Sequence, residues 1–228
     1  MNSKNQNVSR VDRTKAQAKK SYDRISHFYD YFAGGFERNY SNVALEQLNI
    51  NEGETVLEIG FGTGHCLKQI AKSVGKTGKV YGIDISSGML EEAKKRLEKA
   101  SLMDRVELYC GDAVKMPYDE HLFDAVFMSF TLELFDTPEI PMILNEIKRV
   151  LKFEGRLGIV SMSKEDGKSI LLKLYEWAHE KIPNYVDCRP IYVEQSIKEA
   201  GFEIKNKEKV KVFGLPLEIV VSILNILD

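Results

Sequence analysis

The sequence predicts an α/β protein built on a single seven-stranded, mostly parallel sheet, with helices on both faces and an antiparallel hairpin at the C-terminus. Three observations predict it. From residue 54 to 162, short apolar runs alternate with helical patterns, the order that yields parallel strands joined by helices. The first apolar run ends in the alternating glycines Gly60, Gly62 and Gly64, directly before a helical pattern begins. After residue 200, two long β-type runs flank the turn signal Gly214-Leu215-Pro216.

The chain of 228 residues is long enough for a sizeable core and reads as one domain. Residues 1–48 form an N-terminal helical lid, 49–162 a ligand-binding core, and 163–228 a substrate-side segment with the closing hairpin. The net charge of −2 supplies no general pull toward nucleic acid. No N-terminal apolar leader and no run of about 18 apolar residues is present, so neither secretion nor a membrane span is expected. Three cysteines without a CxxC pattern suit reduced thiols in a cytoplasm.

Residues 1 to about 18 are polar and rich in Lys, Arg and Gln. They read as a tail, or as a helix ordered only by docking. The next segment is aromatic, with Tyr22, Ile25, Phe28, Tyr29, Tyr31 and Phe32. Tyr22, Ile25 and Tyr29 share one helical face. A short second helix is expected over Tyr40–Leu48. Val56–Ile59 reads as a buried strand, followed by a helix with Leu67, Ile70, Ala71 and Val74 on one face and Gly75 as its cap.

A second strand, Val80–Asp84, ends in an acid. Ser86 or Ser87 then caps a helix carrying Met89, Leu90, Ala93 and Leu97, with Glu91–Lys95 and Glu92–Arg96 spaced as ion pairs. Strands follow at Val106–Cys110 and Phe123–Phe130. Thr137-Pro138-Glu139 reads as a helix start, and Ile140, Ile143, Leu144 and Ile147 as its buried stripe. Leu157–Met162 is the fifth strand. Residues 163–190 are irregular and hold Tyr175, Trp177, His179, Tyr185, Cys188 and Arg189. A last helix, Val193–Ala200, stops at Gly201. Phe202–Phe213 and Leu217–Leu224 close the sheet; the apolar end at 217–227 suits a central buried strand better than a membrane contact.

The glycine turn lets backbone approach a ligand closely, since no Cβ intervenes. A dinucleotide fingerprint would place Gly or Ala three residues after Gly62, where His65 stands, so a site for something other than a pyrophosphate is the better reading. Glu58 at the strand end suits a ligand bearing an ammonium group. Asp84 lies 20 residues after Gly64, where an acid grips two ribose hydroxyls.

With Gly111-Asp112-Ala113 and Phe123–Phe130, this series resembles the class I S-adenosylmethionine-dependent methyltransferases over residues 50 to 162. Such proteins have a Rossmann-like fold whose final strands are reversed. The resemblance implies that Glu58, Gly60, Gly62, Thr63 and Gly64 border the methionine part of S-adenosylmethionine. It puts Asp84 on the ribose, Ile85 and Met89 beside adenine, Asp112 on its amino group and Ala113 next to it. Ser129 and Phe130 would lie where donor and acceptor meet. Tyr22-Asp23 and Tyr29-Asp30 are similar to the segment covering the cofactor in quinone-type enzymes.

Within the family, Ser129-Phe130-Thr131-Leu132 and Arg149–Leu157 are similar to the ubiquinone/menaquinone C-methyltransferase group. The implied acceptor is a small apolar or ring-bearing molecule. Phe153-Glu154, Ser161 and Glu133-Leu134-Phe135 depart from that group's pattern, which leaves phospholipid N-methylation as an alternative. A protein that only binds the cofactor is a third reading. Methyl transfer from a sulfonium needs no metal, and none is expected. No catalytic base is legible; Glu133, His27, Asp30 and His179 are the candidates. An arsenite enzyme would need reactive thiols, whereas Cys66 and Cys110 fall on positions expected to be buried. The oligomeric state is not legible.

Overall fold

Side chains alternate across a strand, so parity sorts each strand's residues between the two faces of a sheet. Val56, Val80, Ala125, Phe127 and Val160 fall in one buried cluster. Leu57, Ile59, Ile83, Val126, Met128, Leu157 and Ile159 fall in the other. The computed structural model, which describes residues 8, 10–11, 13–29, 34–164, 172, 177, 188–212 and 214–224, places helices over both. Asp30, Tyr31, Phe32, Tyr175, His179, Tyr185, Phe213 and Leu227 lie outside the described residues.

Strands β1 (Thr55–Ile59), β2 (Lys79–Asp84), β3 (Val106–Cys110), β4 (Phe123–Ser129) and β5 (Leu151–Met162) are parallel. With β6 (Phe202–Val212) and β7 (Leu215–Leu224) they form one sheet in the order β3-β2-β1-β4-β5-β7-β6. β7 runs antiparallel to both β5 and β6. It is buried along most of its length because it has a strand on each side, which accounts for its apolar sequence. Leu215 and Pro216 belong to β7, not to the expected turn. Leu215 pairs with Val212 and Pro216 with Lys211, so the chain reverses before Leu215, where Gly214 has φ +80°.

The sheet runs outward in both directions from β1 and β4, and ligands of such sheets bind at this switch point, beyond the strands' carboxyl ends. Parity then matters for the site. Glu58, Asp84 and Ser129 share the face of Val56, Val80 and Phe127, so three polar groups end neighbouring strands on one side.

Helix α1 (Lys15–Ile25) begins earlier than expected. A capping box forms, with Thr14 Oγ1 accepting from Gln17 N–H and Gln17 Oε1 accepting from Thr14 N–H. The basic stretch before residue 18 is thus partly helical and docked, not a free tail. α2 (Gly34–Leu48) is longer than the expected 40–48, and buries Ala44 and Leu48 against β5. α3 (His65–Ser73) buries Cys66, Leu67, Ile70 and Ala71, one stripe at helical spacing, and each large side chain there contributes about 1.5–3 kcal/mol.

α4 (Ser87–Lys99) is capped by Ser86, and its adjacent ion pairs are i,i+3, Glu91–Lys94 and Glu92–Lys95. α5 (Ile140–Val150) starts at Ile140 with Pro141 in its first turn, not at Thr137-Pro138. Thr137 Oγ1 accepts instead from the Arg189 guanidinium at 3.1 Å, and residues 137–139 form a turn. α6 (Val193–Glu199) stops before Gly201, whose φ is +87°.

Ser86 joins α1 to α4. Its Oγ accepts from Met89 N–H at 3.1 Å and donates to Asp23 Oδ1 at 2.7 Å; Gly88 N–H donates to the same Asp23 oxygen at 2.8 Å. The bonds from Gly88 and Ser86, with the Lys19 ammonium, outweigh burial and hold the Asp23 carboxyl below its usual range. Replacing Ser86 by Ala removes a cap and one of these bonds. Urea unfolding should show a loss of about 1–2 kcal/mol with an unchanged m-value.

Candidate functional site

Each glycine of the turn has positive φ, but for a different reason. At Gly60 (φ +72°) an added Cβ would lie 2.4 Å from Thr131 Oγ1 and Cγ2, so the turn is packed against the loop after β4. At Gly64 (φ +78°) it would lie 2.9 Å from Ala93 Cβ, so this glycine permits α3 to touch α4 and does not line the cleft. At Gly62 (φ +51°) a Cβ would meet no atom within 4 Å. The Gly62 backbone therefore borders open space, the kind of cradle a closely approaching ligand fills.

Beside that cradle, Asp84 Oδ2 accepts from Gly62 N–H at 2.9 Å and Oδ1 from Ser86 N–H at 2.8 Å. Each oxygen keeps further acceptor capacity. Burial pushes the Asp84 carboxyl up, against the pull of those two bonds. Glu58 is 3 % exposed and its Oε2 has no partner. Burial, with the Asp84 charge adding to it, drives its carboxyl well above the ordinary 4.5, although Leu67 N–H bonds to it.

A raised carboxyl contributes stability that is present below pH 4.5 and lost as pH climbs through its folded value. Glu58→Gln cannot ionise and escapes that loss. The variant should therefore melt near the wild type at pH 4 and increasingly above it as pH rises to 8; scanning calorimetry across this window measures the gap.

The far end of the cleft holds Asp112 and Ala113, with Ile85 and Met89 beside them. Asp112 Oδ1 accepts from Val114 N–H at 3.1 Å, while Oδ2 meets Lys15 Nζ at 2.6 Å. Lys15 also reaches Glu139 at 2.5 Å. Burial works against its charge, but the two carboxylates outweigh this and hold its ammonium above the usual value. Nearby, Arg10 makes a bidentate pair with Asp136, whose carboxyl is lowered to about 2 chiefly by that bond. Val11 N–H donates to the same carboxylate at 3.0 Å. Arg10, Val11 and Lys15 thus act as a strap fastened to three acids, Asp136, Asp112 and Glu139.

At the tip of β4, Ser129 Oγ lies 2.7 Å from Ser41 Oγ of α2. Phe130, next in the chain, is held at φ +51° with its N–H on Val160 C=O at 2.8 Å. A left-handed phenylalanine is uncommon and such conformations collect at functional sites. Tyr22 and Tyr29 line the cleft from the lid, with the Arg13 guanidinium 5.3 Å from the Tyr22 ring. Phe28 and Ile25 are instead exposed, so the lid aromatics are not simply core.

Of the thirteen residues expected to form the site, the structure brings twelve to one cleft and leaves out Gly64. The proposed bases fare differently. His27 is exposed, with Nδ1 2.7 Å from Glu92, and Glu133 is fully buried off the cleft, accepting from Met162 N–H at 3.3 Å. Asp30 and His179 lie outside the described residues. Cys66 is buried, but Cys110 is exposed because β3 is an edge strand. Among the described residues no His/Cys/Asp/Glu group is arranged to hold a metal ion, and no helix is long and apolar enough to cross a membrane.

Sequence reasoning missed the strap cations and the polar turns of α2. Glu37, Arg38 and Ser41 line the cleft on the helix whose next turns carry buried Ala44 and Leu48. Polar side chains continuing a buried stripe were the signal, since burial of a polar group is the informative exception. His65 also lines the cleft, with Nε2 3.0 Å from Gln69 Nε2, which donates in turn to Asn42 Oδ1 at 2.6 Å.

A family profile described as a methyltransferase domain matches residues 56–155. A demethylmenaquinone methyltransferase of Lactobacillus johnsonii is 30% identical over 168 residues, covering 72% of this chain and 68% of that protein. A 2-phytyl-1,4-naphtoquinone methyltransferase of Trichormus variabilis is 28% identical over 151 residues, 64% of this chain and 65% of its own. Among solved structures, an S-adenosylmethionine-dependent methyltransferase from Aquifex aeolicus superimposes with a TM-score of 0.62 at 25% identity. That alignment covers 94% of this chain and all of the other.

Proposed function

We infer that this chain, which belongs to the S-adenosylmethionine-dependent methyltransferases and takes S-adenosylmethionine as its cofactor, methylates a ring carbon of a small quinone-type molecule. The observation that carries this reading is the wall of the cleft beyond Ser129. Phe130, Leu134 and Phe135 line it there, and Tyr29 lines the same cleft from the lid, an apolar and aromatic lining suited to a flat ring. The ring-named relatives at about 30% identity support it.

The residues fit the cofactor. The orphan Oε2 of Glu58 would take the ammonium group, and the bare Gly62 backbone would admit the methionine chain. Asp84 would accept from the ribose hydroxyls, and Asp112 from the adenine amino group, with Ile85, Met89 and Ala113 around the ring. When bound, the sulfonium supplies an electrophilic methyl group. The chain's own part is to align an acceptor at Phe130, to exclude water with the strap and α1, and to handle the acceptor's proton. We read the protein as cytoplasmic and as one domain.

The test is methyl transfer from labelled S-adenosylmethionine to three acceptors: 1,4-dihydroxynaphthalene kept reduced, phosphatidylethanolamine vesicles, and buffer alone. Label on a naphthalene carbon is the expected result. Label on the phospholipid amine instead would make the protein a phospholipid N-methyltransferase. Tight cofactor binding with no transfer to either would favour a binding protein.

A further inference from the structure

We propose that Glu37 is the catalytic acid–base residue for the methyl acceptor, with Tyr29 positioning its carboxylate. The proposal rests on the reading that the acceptor is a hydroxylated ring.

Transfer to such a ring creates a demand for proton removal. The ring carbon becomes nucleophilic when the neighbouring hydroxyl gives up its proton to a carboxylate. Its electron pair then forms the bond to the methyl carbon, while the carbon–sulfur bond breaks with both electrons staying on sulfur. The ring, now a ketone, regains its hydroxyl by taking the proton back, and the hydrogen on the methylated carbon leaves to solvent. One proton is released per turnover, and no oxidant or reductant is consumed.

The cleft's carboxylates are not equal candidates. Glu58 and Asp84 stand beside the Gly62 cradle, at the cofactor's end. Asp112 and Glu139 bond Lys15, and Asp136 bonds Arg10. Glu37 alone, among the described cleft-lining acids, stands on α2, four residues before the Ser41 that touches the tip of β4. Ser41 Oγ touches Ser129 Oγ at 2.7 Å and also donates within the helix to the Glu37 backbone C=O at 2.7 Å. Residues four apart lie on one helical face, and Glu37 and Ser41 both line the cleft from that face of α2. The Tyr29 hydroxyl, on the lid, lies 3.4 Å from each Glu37 oxygen. It can donate to either oxygen and restrain the carboxylate from swinging away. Closure of the lid would thereby set the base in place.

The experiment uses the full chain saturated with S-adenosylhomocysteine, with glutamate carboxyl groups labelled with carbon-13. The Glu37 resonance is identified by its absence in Glu37→Gln. Reduced 1,4-dihydroxynaphthalene is titrated in, and its binding is followed independently by quenching of tyrosine fluorescence. The expected result is a shift of the Glu37 resonance that saturates with the quenching. In turnover, Glu37→Gln should lower kcat at least 100-fold while S-adenosylhomocysteine affinity stays within twofold. Glu37→Asp should recover part of the rate. Tyr29→Phe should lower kcat severalfold with KM nearly unchanged. Binding of the ring with an unmoved Glu37 resonance would overturn the assignment and leave the ring-acceptor reading standing. No binding of the ring at all would sink the ring-acceptor reading, and this assignment with it. If Glu37→Gln proves unstable to heat, Glu37→Asp and the resonance shift decide alone.

Discussion

Asp84→Ala should weaken S-adenosylhomocysteine binding by roughly ten- to a hundredfold, measured by calorimetry. Two losses combine in that number. Hydrogen bonds from ligand hydroxyls to a charged carboxylate contribute about 1.5–3 kcal/mol in favourable geometry. The same carboxylate also accepts from Gly62 N–H and Ser86 N–H, so its removal loosens the cradle and the start of α4. Asp84→Asn separates the two. Its single carbonyl oxygen can keep one backbone bond, but the amide nitrogen turns a donor toward another donor. If the carboxylate acts mainly as a scaffold for the turn, Asn and Ala should cost stability in proportion to affinity. If it holds the ribose, Asn should lose affinity well beyond the stability it loses with that one backbone bond, as urea unfolding reads it. An affinity within twofold of wild type in Asp84→Ala would remove this acid from the site.

The sheet was legible because its signals are local and redundant. Periodicity placed all seven strands, and the glycine turn with acids at Asp84 and Asp112 marked the ligand end of three of them. The failures have local causes too. Thr137-Pro138 carries a helix-start pattern, but Arg189, distant in sequence, claims the Thr137 hydroxyl and the helix waits until Ile140. Gly64 shares the spacing of Gly60 and Gly62 yet serves helix packing at Ala93, which no spacing rule distinguishes. Pro216 reads as a turn residue, but β7 accommodates it near the strand start, paired with Lys211.

The strap was the least legible part. Arg10 and Lys15 look like solvated surface charges, and only the folded chain brings them to Asp136, Asp112 and Glu139. Charged residues far apart in sequence give no pattern that announces their pairing. Ser129 was placed at the site by resemblance, but its contact with Ser41 depends on the packing of α2 against the sheet. The same packing brings Glu37 to the cleft, a placement that no pattern along the chain announces.

Deleting residues 1–33 should abolish methyl transfer while leaving a cooperatively folded sheet. The core argument is simple: Val8 is the sole member of either buried cluster among the described residues before Ala44. Among the described residues the deletion therefore costs little apolar burial. It removes Lys15, Tyr22 and Tyr29, which line the cleft, together with the fastenings at Arg10 and Asp23. The fastenings are individually weak. Lys15 and its partner Asp112 are both about 40 % exposed, and such pairs contribute roughly 0–1 kcal/mol each. Arg10–Asp136 is bidentate but its guanidinium is largely exposed, and Asp23 adds bonds to Gly88 and Ser86. A few such contacts give a cover that opens for a small fraction of the time, which cofactor entry requires. Lys15 bonds the Asp112 oxygen that adenine would use, so entry must move the strap before the lid can settle. Hydrogen exchange on residues 21–40 should consequently slow when S-adenosylhomocysteine is added. Equal protection with and without ligand, together with methyl transfer surviving the deletion, would reduce the segment to a surface decoration of a complete enzyme.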